Sequence, residues 1–208
     1  TIRLEHFEGE ECWISLDLAE KSDIAALCLI FKRGNKFYVF FRFYLNEYEA
    51  EKKENDHYRR YALLDELHIN PGNATDFDVI RSDIEAFAAR FRVKEVPYDP
   101  KFASYFVAKL IEKGLPMVEI SQTSTHFTMP IIEIENKVLT GDLVHQGNTC
   151  MEWMMGNVVL RESKFSGLKH PTKEKPSEKI DGPVAMLIGM GRALVFVDDR
   201  IDQGFVGL

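Results

Sequence analysis

Cys12–Asp23, CWISLDLAEKSD, decides how the rest of this 208-residue chain is read. Ile14, Leu16 and Leu18 alternate with Trp13, Ser15 and Asp17. Alternation with large apolar groups on one face and Trp13 on the other predicts a strand near the middle of a sheet. Asp is a poor strand former, and a carboxylate in a covered sheet is costly unless something cationic faces it. Asp17 therefore either points to solvent from a half-exposed strand or belongs to a site. The choice depends on what other segments bring to the same edge.

Outward from this strand, Ile24–Arg33 and Lys36–Leu45 are apolar-rich runs broken by Gly34-Asn35, a hairpin signal. The chain thus opens with three consecutive antiparallel strands. Asn46–Leu67 is rich in Glu and Lys and reads as a solvated helical excursion, with His68–Asn73 (HINPGN) as a turn. Asp76 has the position of an N-cap, and Ile80, Ile84, Phe87 and Phe91 recur at helical spacing. Val93–Tyr98 predicts a short strand ending at Asp99-Pro100; Phe106 and Leu110 line a helix that stops at Gly114. Met117–Ser121 predicts a short buried strand, about Thr128 to Leu139 a helix, Asn148–Met155 another, and Val158–Ser163 a strand. Ser166–Lys179 is loop-like. Asp181-Gly182-Pro183 opens a nearly continuous apolar helix, Val184–Val197, too short for a bilayer and suited to burial against a sheet. This order predicts one α/β domain over residues 1–208, with a mixed central sheet and helices on both faces, as in the ribonuclease H-like fold.

Composition narrows the function classes. Hydrophobic content of 45% with 28% charged residues is ordinary for a globular protein, and no apolar run reaches the ~18 residues of a membrane span. No signal peptide precedes the first strand, and Thr1 in place of Met leads to the expectation of a piece cut from a longer chain. Cys12, Cys28 and Cys150 lack metal-ligand spacing, which predicts buried reduced thiols, no zinc site and no disulfide framework. A net charge of −7 argues against a generic nucleic-acid coat, whose affinity comes from neutralising phosphates.

Three carboxylates occupy comparable places. Asp17 is near the end of the first strand, Asp99 ends the strand after the long helix, and Asp181 opens the last one. Each has a plainer reading: Asp99 caps the helix that follows, and Asp181 before Gly-Pro is an ordinary N-cap. If the first strand and the one ending at Tyr98 are parallel neighbours, however, their ends bring Asp17 and Asp99 together, within reach of the head of the closing helix. Such carboxylates repel unless cations sit between them, and hard oxygen ligands suit Mg²⁺ or Mn²⁺.

The segments SLDLAEKSDIAAL, VPYDPKFASYFVAKLIEKG, VHQGNTCMEWMMGNVVL and KIDGPVAMLIGMGRAL, in that order, resemble the C-terminal nuclease domain of the large terminase subunit of tailed phages and prophages. The likeness is to the branch of phages with HK97-like capsids, and it runs from about Cys12 to Val197. The resemblance implies a fold similar to ribonuclease H and retroviral integrase, and cleavage of concatemeric viral DNA during genome packaging. It assigns the metal-binding, catalytic acids to Asp17, Asp99 and Asp181, with two divalent ions, Mg²⁺ or Mn²⁺. It further implies as partners double-stranded DNA, an N-terminal ATPase domain of the same full-length chain, the terminase small subunit and the portal protein. The setting is the cytoplasm of an infected or lysogenic bacterial host, with no membrane. No G-x-x-x-x-G-K-[ST] occurs, so motor activity is not expected of these residues.

Asp23 and His170 are accessory candidates, Asp23 otherwise being a solvated turn residue and His170 a surface histidine. His145, Trp153 and Asn157 match a stretch of the family and are expected to be structural. Between Arg161 and Lys179, six cations stand against three acids, a local net of +3 in an acidic chain. A positive strip just before a metal ligand is where a phosphate backbone is wanted, which nominates Lys164, Lys169, Lys173, Lys175 and Lys179 for DNA binding. A lysine-rich exposed loop is the alternative. Other readings of the whole are an integrase, transposase or junction resolvase of the same superfold, or a non-catalytic docking module of a packaging motor.

Overall fold

The structure is a computed structural model that describes residues 2–19, 21–102 and 104–195. The opening alternation forms β1 (Glu11–Asp17), which pairs antiparallel with β2 (Ala25–Arg33), Asp17 lying opposite Ala26. β2 turns at Gly34, in the left-handed region at φ 58°, into β3 (Lys36–Asn46). The chain continues through α1 (Glu47–Ala50), α2 (His57–Leu63), β4 (Leu67–Asn70), α3 (Phe77–Arg90) and β5 (Arg92–Tyr98). Next come α4 (Ser104–Glu112), β6 (Met117–Glu119), α5 (Ser124–Thr140), β7 (Leu143–His145) and α6 (Thr149–Gly156). β8 (Val159–Glu162), β9 (Lys169–Thr172) and α7 (Asp181–Val195) complete it.

The main sheet runs β4-β3-β2-β1-β5-β6, with β7 also beside β3. β1 is central, as its two-sided apolar alternation requires. It lies parallel to β5, with Leu16 opposite Tyr98, so the carboxyl ends of both strands reach one edge.

Alternation along the strands divides the core in two. Cys12, Ile14, Leu16, Leu27 and Leu29 pack with Ile80, Ile84, Phe87 and Leu110 on one face. Trp13, Cys28, Ile30, Phe41 and Phe43 pack with Phe127, Met151, Met154 and the length of α7 on the other. The apolar closing helix is therefore buried as expected. It is followed to Val195; residues 196–197 lie outside the described residues. No helix among the described residues is long and apolar enough to cross a membrane. The three cysteines are buried and free, and burial pushes the Cys12 thiol up to about 12.

Several local expectations are corrected. The stretch read as a turn begins with β4, whose four residues pair in parallel with the end of β3. The charged excursion is amphipathic rather than merely solvated, since Tyr58 and Tyr61 join the core, while Glu47, Glu51, Arg59 and Arg60 are exposed. β6 is half-buried at most. Val159–Glu162 leaves the main sheet and pairs with β9, which lies inside the stretch read as a loop. Strands this short carry almost no periodic signal of their own; their partners create them.

Candidate metal centre

Asp17 is the last residue of β1 and Asp99 follows β5 directly, so parallel pairing delivers both to the same sheet edge. Asp181 is the first residue of α7, and the position of that helix is set by close packing. The Ser15 hydroxyl, on the same face of β1 as Asp17, donates to the Ala185 carbonyl at 2.7 Å and approaches the Cys28 carbonyl at 3.3 Å. A Cβ at Gly189 would fall 2.5 Å from Ser15 Oγ and 2.6 Å from Ile30 Cδ1. At Gly182 it would fall 2.7 Å from Met151 Sδ. Only glycine lets the helix backbone come this close. At the far end, the Arg192 guanidinium closes on the Glu95 carboxylate of β5 with two contacts of 2.7 Å. α7 thus runs antiparallel to β1, its head beside the end of that strand.

The acids there are poorly compensated. Burial raises the Asp17 carboxyl well above the usual carboxylate range; the Asp181 charge pushes the same way, as do Asp99 and Asp23 more weakly, against a 2.8 Å hydrogen bond donated by Gln122. Asp181 is pushed up to about 7, by burial first and the Asp23 charge second, while its own backbone hydrogen bond, Lys179 and Lys173 pull it down. Asp181 Oδ2 is buried without a hydrogen-bond partner. Asp99 Oδ1 accepts from the Lys101 amide at 2.8 Å, the capping contact its setting before Pro100 suggests, while its charge still reaches Asp17.

Asp23 is drawn in across the bend after β1. Lys179 donates to its carboxylate and to the Ser22 carbonyl, and Lys173 stands 3.8 Å away. Asn157 donates to the Lys179 carbonyl at 2.9 Å, which pins the approach to α7. Trp153 packs among His57, Tyr58 and Tyr61, and the His145 ring accepts from the Gly147 amide, as suits structural residues. His170, on β9, stacks over Phe127 with 5.7 Å between ring centroids, and its Nδ1 is buried without a partner.

The lysines of the strip differ in setting. Lys179 is buried as the counter-ion of Asp23, Lys169 pairs with Glu135 at 3.1 Å, and Lys175 meets Glu178 at 3.8 Å. Lys164 is exposed.

The donor set suits a hard divalent cation: carboxylate oxygens, one of them a buried orphan, crowded against their own repulsion. Among the described residues, no three His, Cys, Asp or Glu side chains stand at ready-made ligand spacing. The acids share an edge and a field rather than a closed cage.

Sequence reasoning missed Gln122, Ser15 and Tyr58, whose buried phenol lies in the field of Asp181. Gln122 is 105 residues from Asp17, and no local pattern links the two. Gly182 and Gly189 inside an otherwise apolar helix were the available sign of a close approach.

Comparison with known proteins shows the family and the fold. Residues 1–196 match the family model described as "Terminase large subunit, endonuclease domain". The chain is 30% identical to protein YmfN of Escherichia coli K12, covering 94% of this chain and 46% of that protein. It is 24% identical to the terminase large subunit of Enterobacteria phage HK97, covering 87% and 37% respectively. It therefore spans less than half the length of these curated relatives. Among solved structures, the HK97 large terminase superposes with a TM-score of 0.74 at 22% identity, over 88% of this chain and 39% of that one. The magnesium-bound large terminase nuclease of thermophilic phage G20c superposes with a TM-score of 0.57 at 9% identity, over 87% and 80%. The fold is the ribonuclease H-like fold of terminase nucleases.

Proposed function

The chain belongs to the terminase large-subunit endonuclease-domain family, and from that premise we propose that it is a metal-dependent DNA endonuclease. Its substrate in this reading is concatemeric viral DNA, cut during genome packaging with little sequence preference. The observation that carries the reading is the buried, unpartnered Oδ2 of Asp181 beside Asp17, both acids raised by burial and by neighbouring negative charge. Mutually repelling carboxylates gathered at one edge are the setting that a hard divalent cation stabilises.

In this reading Asp17, Asp99 and Asp181 would hold two divalent ions, Mg²⁺ or Mn²⁺. The G20c nuclease, solved with magnesium, supports the choice of metal. When bound, such ions supply an activated water for in-line attack on phosphorus and stabilise the departing 3′ oxygen. Gln122 orients the Asp17 carboxylate, leaving its other oxygen free. Lys179 and Lys173 hold Asp23 beside Asp181 and limit the negative charge at the edge. His170 on β9 and the lysines Lys164, Lys169, Lys173 and Lys175 line the path along which the phosphate backbone approaches, while Lys179 stays buried at Asp23. Contacts to the phosphate backbone dominate in this reading. The ATPase domain of a longer chain, the small subunit and the portal are the partners of this reading, in the host cytoplasm.

Nicking of supercoiled plasmid tests it. Conversion to open circles with Mg²⁺ or Mn²⁺, lost on chelation and in a folded Asp17→Asn variant, is the expected result. A folded wild-type chain that cuts with neither metal would return the fold to a docking role.

A further inference from the structure

The β8–β9 hairpin carries one feature that the acid edge does not explain. Phe165, at its tip, is 103% exposed. An aromatic ring wholly in water is unfavourable by roughly 1.5–3 kcal/mol relative to burial, and here it is held out by an ordered turn. The Ser163 amide donates to the Leu168 carbonyl at 2.9 Å, the Gly167 amide donates to the Ser163 carbonyl at 2.8 Å, and Gly167 takes φ 67°. The stem is fixed at both ends: Thr172 Oγ1 donates to the Val159 carbonyl at the base, and next to the turn Thr128 Oγ1 of α5 accepts from the Lys169 amide. The tip projects from a rigid stem.

The charges beside Phe165 differ from those nearer the acids. Lys169, Lys173, Lys175 and Lys179 all face carboxylates. Arg161 and Lys164 are exposed, and neither has an ion-pair partner among the described residues. Glu162, the acid of the tip, lies opposite Lys169 in the ladder. Two uncommitted cations beside an exposed ring match a polyanion that also offers a flat apolar face, which is the chemistry of duplex DNA.

We infer that the β8–β9 tip is a second DNA contact, at which Phe165 wedges against a base step in the minor groove while Arg161 and Lys164 hold the flanking phosphates. This rests on the nuclease reading and adds a residue that biases where cutting occurs. Lys173, next after β9, stands at Asp23, so the stem starts at the acid edge. Three ladder steps at ~3.3 Å plus the turn put the tip roughly 15 Å further on. That is about half a helical turn of DNA. Wedging is cheapest at flexible pyrimidine–purine steps, so the ring selects by deformability without reading base edges.

The test sequences the ends cut from a long random duplex and measures binding against salt without metal. Wild type is expected to show an excess of pyrimidine–purine steps about five base pairs to one side of the cut, at ~3.4 Å per pair. Phe165→Ala loses that excess while still cutting, and Phe165→Trp keeps it. Arg161→Ala with Lys164→Ala flattens the log–log salt slope by ~1.8, at ~0.9 per phosphate contact. A wild-type chain that cuts with no offset preference, together with an unchanged slope in the double variant, overturns the inference and leaves the nuclease standing. A chain that binds DNA but never cuts fails the nuclease reading, and the salt series still judges the tip.

Discussion

The Ser15 hydroxyl donates a hydrogen bond to the Ala185 carbonyl at 2.7 Å. This one contact ties β1 to α7 two residues before Asp17 and one helical turn after Asp181. The acid edge therefore depends on how closely a helix lies on a strand, and the glycines of α7 set that distance.

Gly189→Ala is expected to cost about 1–3 kcal/mol by overpacking, read as a lower urea midpoint with an unchanged slope. Ser15→Ala should cost about 1 kcal/mol. Combining them should recover part of the loss, because the nearest clashing atom, Ser15 Oγ, is gone. Strict additivity would show that the two sites do not share the contact.

Gln122→Ala should weaken activation by Mg²⁺ by ~10–100-fold, the usual consequence of losing an outer partner of a metal ligand. Asp17→Asn should cost more than this while leaving the circular dichroism spectrum unchanged. Nicking by Asp17→Asn at the wild-type rate would remove Asp17 from the site.

Asp181, raised to about 7 by burial and by Asp23, makes stability depend on pH in a defined direction. Its folded form binds a proton more tightly than the unfolded carboxyl, whose pKa is near ~3.9. Its contribution is fully present below that value, declines as pH rises toward 7, and is gone above it. With chelator, urea midpoints of wild type should fall from pH 5 to pH 8 more steeply than those of Asp181→Asn. Added Mg²⁺ should restore most at the high end. Parallel wild-type and variant profiles would exclude Asp181 as the source.

Lys179→Ala should destabilise the fold by about 1.5 kcal/mol, because the hydrogen bonds of its buried ammonium to the Asp23 carboxylate and the Ser22 carbonyl are lost. Adding Asp23→Asn should recover part of that loss. Lys175→Ala, at an exposed pair, should leave stability within about 0.5 kcal/mol. Equal effects of the two lysines in thermal melts would mean that Lys179 is not held as the structure places it.

The sequence alone determined the elements whose pattern lies within one stretch. The alternation from Trp13 to Asp17, the Gly34 turn, the spacing of Ile80, Ile84 and Phe87, and the apolar run after Asp181 each report a strand, hairpin or helix by local periodicity. Asp17, Asp99 and Asp181 stood out because each ends or begins such an element. Tertiary structure alone decided the rest. β4 and β7 are strands because β3 has a free edge to pair them, Tyr58 and Tyr61 are buried because the sheet offers a face, and Lys179 turns inward to Asp23 rather than outward to solvent. Gln122 reaches Asp17 across 105 residues. Periodicity is a property of neighbours along the chain, whereas pairing, burial and charge compensation are properties of neighbours in space. The latter exist only once the helices have closed over the sheet.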